Sequence, residues 1–433
     1  MIVHRLRGDN RVRIARSEST TIYNVLEYGF YGSLGYAIIG PALGLTAGFV
    51  GAGFLAGLAA SCILFHRSRV AQVYRPIVAP LLCGVFFVTL QALIHNESLL
   101  DEYVRAFVTW MLMLIVAQSL SQRLEFLQRF TVAAFVIGLL LLPFLKISSD
   151  PSEHGRASLD QTVGLNNSNE FGAWFGFCAV SFLIVGIETR RPIVRTATWL
   201  ASAGCLYVVG LTVSRGALFA TALAGVIAAR RLLKRGFLPI LFLIMLGGVI
   251  YNLGVFQRIT AAYEARAGEE TGRFLIWPVA MSRFLNSPLT GVGVSHVGTY
   301  VPSKHREITP HNAFLFMALA SGIIPVTFFM LYCWRTAQSA FSVSATPLTV
   351  APFVLPLYTY CFLIINTSNF PFMSACVVVT MSIVQTADVY ARLLRTRMRH
   401  DLSRRRAHFV SRLPARQSVA RELPWSVARP PVQ

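Results

Sequence analysis

A chain of 433 residues has the length of two or three soluble domains, but 55% of its residues are hydrophobic and only 13% are charged, about half the charged share of an ordinary soluble domain. With a mean hydropathy of +0.57, that composition excludes a soluble enzyme. The formal net charge of +20 lies mostly in the termini and a few short loops beside apolar runs, a placement that suits anionic lipid rather than nucleic acid.

In chain order, the basic start Met1–Arg16 carries Arg5, Arg7, Arg11, Arg13 and Arg16. It lacks a short apolar core with a small-residue cleavage site, so the first apolar segment is expected to be a retained span. A helix needs about 20 apolar residues to cross the hydrocarbon core. Runs of that kind fall at 28–44, 46–65, 76–95, 104–119, 128–146, 171–187, 197–213, 216–229, 236–254, 311–333, 350–366 and 372–390. The expected fold class is therefore all-α: a polytopic transmembrane bundle of about 12 spans with a large, partly helical outer loop.

Loop charge gives the orientation. Arg67, Arg69 and Arg75, then Arg123 and Arg129, then Arg190, Arg191 and Arg195, then Arg230, Arg231, Lys234 and Arg235 fall in alternate loops. The intervening loops carry Glu97, Asp101 and Glu102, then Asp150, Glu153, Asp160 and Glu170. The basic set marks the cytoplasmic side, so both termini are expected there. The domains predicted are a cytoplasmic N-terminus (1–27), a bundle of about nine spans (28–254), a periplasmic loop (255–310), about three further spans (311–390) and a basic cytoplasmic tail (391–433). Within the long loop, residues 257–267 and 272–285 are each expected to be helical, with Asn286-Ser287-Pro288 stopping the second.

The seven cysteines all lie in apolar runs, without metal-ligand spacing, and read as small buried hydrophobes. The Gly291–Gly293 stretch lacks the Gly-Lys-Ser/Thr of a phosphate-binding loop. Four polar groups demand a reason. Arg215 stands between two apolar runs on the expected outer side, where positive-inside bias does not account for it. It is either a snorkelling anchor or an anion clamp, its planar fork suiting phosphate oxygens. Arg273 opens a helix whose Phe274 and Trp277 share a face, and is either solvated or a second anion ligand. His311, followed by Asn312, stands at the mouth of a strong apolar run. It is either interfacial or a general base, with His305 and His296 as competitors. Asn167, Asn169 and Glu170 precede the sixth span and read first as a helix cap, with Glu170 able to orient a hydroxyl or meet an arginine. An anion grip and a histidine above a lipid-facing bundle suit a substrate with an anionic head and a lipid tail. A polysaccharide or solute transporter is the competing class.

The C-terminal half resembles the O-antigen ligase and polymerase superfamily of bacterial membrane glycosyltransferases, which includes exopolysaccharide polymerases. The matching residues, best over 160–330, are Ser214-Arg215-Gly216-Ala217, Gly272-Arg273 with Trp277, Ser287-Pro288-Leu289 with Gly291 and Gly293, His311-Asn312-Ala313-Phe314-Leu315, and Gly322. The segment 164–170 resembles the family's glycine/asparagine motif, with Ser168 where proline is common. The resemblance implies an inner-membrane enzyme without metal or cofactor. Its donor would be an undecaprenyl-pyrophosphate-linked glycan. Its acceptor would be a sugar hydroxyl, on a second lipid-linked repeat for a polymerase or on lipid A core for a ligase. It implies that Arg215 and Arg273 hold the pyrophosphate and that His311 acts at the acceptor hydroxyl. The polymerase reading is preferred because nothing in the chain specifies a lipid A core partner. The basic tail could meet membrane lipid or a chain-length regulator.

Overall fold

The computed structural model describes residues 11–43, 47–98, 101–147, 157–159, 167–233, 273–301, 306–367 and 374–412, with Gln257, Thr260, Ala261 and Glu264 between them. The expected span 236–254, most of the expected helix 257–267, and His305 lie outside the described residues.

Apolar runs fold as helices because, in hydrocarbon, each backbone N–H and C=O must find its partner within the segment. The helices are α1 (Arg11–Ile39), α2 (Ala47–Phe65), α3 (Val70–Tyr74), α4 (Val78–Leu93), α5 (Glu102–Leu120), α6 (Phe126–Leu141), α7 (Ser168–Glu188), α8 (Pro192–Leu211) and α9 (Arg215–Leu233). After the undescribed stretch come α10 (Arg273–Asn286), α11 (Ala313–Ser321), α12 (Ile323–Ser344), α13 (Ala351–Thr367) and α14 (Ala375–Arg412). Among the described residues, six segments are long and apolar enough to cross a membrane: 70–93, 102–120, 126–144, 168–188, 192–211 and 375–396. Two shorter apolar helices, 50–65 and 351–367, accompany them. The chain is an all-α membrane protein, and its described residues include two short antiparallel strand pairs. These pair β1 (Leu145–Ile147) with β2 (Ala157–Leu159), and β3 (Thr299–Val301) with β4 (Arg306–Ile308).

One expected span is built differently. The run 311–333 is broken at Gly322, whose φ of 76° ends α11 and starts α12. Helix α11 has nine residues, roughly 14 Å of rise, which is too short to cross. The 22-residue α12 supplies the long helix there.

Close approaches set the helix directions. Gly172, near the start of α7, faces Thr212 and Ser214 at the α8–α9 turn, while Gly186, near its end, lies under Trp199 of α8. Helices α7 and α8 are therefore antiparallel. Helix α9 returns beside α7, where Gly176 meets Thr221. Tyr360 of α13 completes this group by donating its hydroxyl to the Ala173 carbonyl. The starts of α7 and α9 and the end of α13 thus share one end of the bundle.

The opposite end is tied by buried polar pairs. The Glu27 carboxylate of α1 accepts from Nε and Nη2 of Arg129 on α6, at 2.7 and 2.8 Å. Gln118 of α5 donates to the Val73 carbonyl and to Thr386 of α14. Asp388 accepts from Ser339 and Ser342 of α12. Such pairs fix the rotation of apolar helices that hydrophobicity alone would leave free to turn. These helices belong to a compact unit ending at Asp388. A second unit, Val389–Gln433, is helical as far as Arg412 and rich in arginine. All seven cysteines are buried and free.

Candidate functional site

The site residues sit where several helices begin. Asn167 caps α7, its Oδ1 accepting from the Asn169 backbone N–H at 2.9 Å, and so satisfies one of the donors that every helix start leaves open. Glu170 falls in the same first turn. Asn169 reaches further. Its Oδ1 accepts from Ser214 Oγ at 2.9 Å, tying the asparagine-rich segment to the α8–α9 turn.

That turn is tight. Val213 has a φ of 49°, Ser214 is buried, and α9 opens on Arg215, which is exposed. The first turn of α9 contains no acid. A cation at a helix N-terminus opposes the dipole, at a cost of about 0.3–1 kcal/mol. Arg273 repeats the arrangement: it is the first residue of α10, again with no acid in the first turn.

Gly216 brings the start of α9 against the end of α13. A methyl group there would lie 2.8 Å from Thr367 Cβ, so no larger residue fits without movement. Next to Thr367, Asn366 Oδ1 accepts from Asn312 Nδ2 at 3.3 Å. Asn312 in turn caps α11 through the Leu315 N–H at 3.0 Å. His311, half-buried, takes the left-handed conformation with a φ of 53°. On its other side Trp277 Nε1 donates to the Pro310 carbonyl at 2.7 Å. Trp277 lies one turn after Arg273 on α10.

Direct contacts thus run from Asn169 to Ser214, from the start of α9 to Thr367, and from Asn366 through Asn312 to the His311 turn. Asn167, Asn169, Glu170, Arg215, His311 and Asn312 share this end of the bundle, and Arg273 joins it through the helix that carries Trp277. His296 is exposed and its carbonyl accepts from Arg283.

The remaining motif residues build the floor. Val292 and Gly293 donate to the Leu319 and Ala320 carbonyls at 2.7 and 3.1 Å, and Ile323 donates to Pro288 at 2.8 Å. Gly291 and Gly322 make this clamp possible, since both have positive φ and a methyl group on either would strike backbone. Gln91 of α4 bridges the two sides, donating to Ala320 O and accepting from Val294 N. His95 Nε2 is 2.9 Å from the Thr290 carbonyl, and Glu97 accepts from Ser295.

Asn366 and Thr367 were not singled out from the sequence. Their signal was present in the polar run Asn366-Thr367-Ser368-Asn369 closing an apolar segment. Gln91, His95 and Glu97 carried no comparable signal, because their partners lie about two hundred positions away. Among the described residues, no group of three or more His, Cys, Asp or Glu side chains could hold a metal ion.

Comparison with known proteins matches residues 200–330 to a family model described as O-antigen ligase. The matched segment contains Arg215, Arg273, His311 and the 287–293 clamp. No curated protein matches the chain.

Proposed function

We propose, from the match of residues 200–330 to a family model described as O-antigen ligase, that the chain is a membrane glycosyltransferase of the O-antigen ligase/polymerase superfamily. It moves a glycan from undecaprenyl pyrophosphate to a sugar hydroxyl at the periplasmic face of the inner membrane. The observation that carries this reading is electrostatic. Arg215 and Arg273 each open a helix where a cation is disfavoured, and neither helix carries an acid in its first turn. An anionic ligand relieves that cost, because helix N-termini and guanidinium groups favour the same charge.

The chemistry follows from charge flow. The anomeric carbon–oxygen bond to the pyrophosphate breaks and its electron pair stays on the leaving oxygen. Arg215 and Arg273 stabilise that developing charge. The acceptor oxygen forms the new glycosidic bond from the opposite face, inverting the anomeric carbon. Its proton passes to the His311 imidazole and then to solvent. This scheme routes no step through a metal. Asn167, Asn169 and Glu170 shape the donor side, Asn312 the acceptor side, and His305 is a further candidate on the loop.

The topology that accompanies this reading has about twelve spans, with the segment 236–254 completing the even number and both termini in the cytoplasm. The acceptor is taken to be a second lipid-linked repeat, which makes the enzyme a polymerase for O-antigen or exopolysaccharide. Transfer to lipid A core is the second reading, supported by the ligase description of the matching family. Glycan profiles of cells lacking the gene decide between them. Loss of all long chains supports the polymerase, and long chains stranded on the carrier lipid support the ligase. Unchanged glycans overturn both.

A further inference from the structure

His311 is the one histidine among the described residues in the left-handed backbone region. A non-glycine residue held there is strained and persists only where its surroundings enforce it. The enforcement is visible on both flanks. Before His311, the Pro310 carbonyl accepts from Trp277 Nε1 at 2.7 Å. After it, Asn312 Nδ2 donates to Asn366 Oδ1 at 3.3 Å, while the Asn312 carbonyl group of the side chain caps α11. Asn366 is itself anchored, its Nδ2 donating to the Phe362 carbonyl at 2.8 Å.

We propose that Trp277 and Asn366 are positioning residues that hold the His311 turn from its two sides. Neither touches substrate in this scheme. Trp277 fixes where the turn begins and Asn366 fixes where it ends, so that the imidazole faces the acceptor hydroxyl. The proposal rests on the reading of His311 as the acceptor base. It adds a coupling: Trp277 belongs to the helix opened by Arg273, so one hydrogen bond links an arginine of the leaving-group grip to the turn that carries the base. Asn366 is followed directly by Thr367, against which Gly216 and the start of α9 are packed. Each tie therefore connects the histidine to one of the two arginine-bearing helices.

The test uses the full-length protein in lipid nanodiscs, as wild type, Trp277→Phe and Asn366→Ala. Trp277→Phe keeps an aromatic ring but removes the N–H donor together with part of the indole. Two quantities are read: hydrogen exchange in peptides covering 306–316, and steady-state transfer from a labelled undecaprenyl-pyrophosphate glycan. Faster exchange confined to that turn is expected in both variants, with kcat lower by roughly tenfold and the donor KM within about twofold, because the lost interaction serves the transition state rather than donor binding. Unchanged exchange in the turn overturns the proposal. So does a raised donor KM with kcat intact, which would make these residues part of the donor site. Wild-type protein that performs no transfer would remove the glycosyltransferase reading, while the exchange measurement would still decide whether the two ties hold the turn.

Discussion

At the residue scale, the buried polar groups that hold helices together differ from the less buried ones proposed above to meet a ligand. His66 belongs to the first kind. It follows α2, is 1% exposed, and lies 3.0 Å from Ser119 Oγ. Burial, reinforced by the nearby Arg69 charge, pushes its pKa down from 6.5 to about 4. The folded protein therefore keeps His66 neutral between these values, whereas the unfolded chain binds a proton there. That difference leaves stability intact above pH 6.5 and erodes it as the pH falls toward 4. Thermal melting at pH 5 and pH 7 should show a drop in the wild type and a smaller drop in His66→Gln; equal drops would contradict the assignment. Arg215 and His311 are of the second kind. Both were legible in the sequence because a charged or titratable residue at the edge of an apolar run needs a reason. Asn366 was not legible as their neighbour. Its importance comes from facing Asn312, 54 positions earlier in the chain, and no local pattern encodes that pairing.

At the element scale, hydropathy located long helices well because crossing segments must be apolar over about 20 residues. It failed at Gly322. The residues on both sides of the break are apolar, and hydropathy does not register the backbone torsion that separates α11 from α12. The small hairpins beside α6 and α11 were missed for a related reason, since strands of three residues are too short to show an alternating pattern. The junction of α9 with α13 gives an element-scale prediction. Gly216→Ala places a methyl group 2.8 Å from Thr367 Cβ, an overpacking of about 1–3 kcal/mol, and should lower both the melting temperature and activity. Thr367→Gly in the same protein removes the opposing atoms and should restore most of the loss. A neutral Gly216→Ala, or a double variant no better than the single one, would show that the two helix ends do not meet as described.

At the scale of the whole molecule, polar ties divide between the two ends of the bundle. One end holds Glu27 with Arg129, Gln118 with Thr386, and the serines around Asp388, which lock helices to helices. The other end gathers the capped starts of α7 and α11, the arginine-led α9, and the clamp between the 287–293 loop and Gly322. The first half of the chain, outside the matched family segment, contributes Gln91, His95 and Glu97 as the dock for that clamp. Reconstituted transfer bears most directly on whether this end is a grip for a lipid-linked diphosphate. Purified protein in liposomes, given a radiolabelled undecaprenyl-pyrophosphate repeat and an acceptor, should make elongated glycan. Arg215→Ala and His311→Ala, with unchanged melting temperatures, should each lose about 10²–10³-fold in rate. Wild-type protein that makes no product, or undiminished turnover in both variants, would contradict the account.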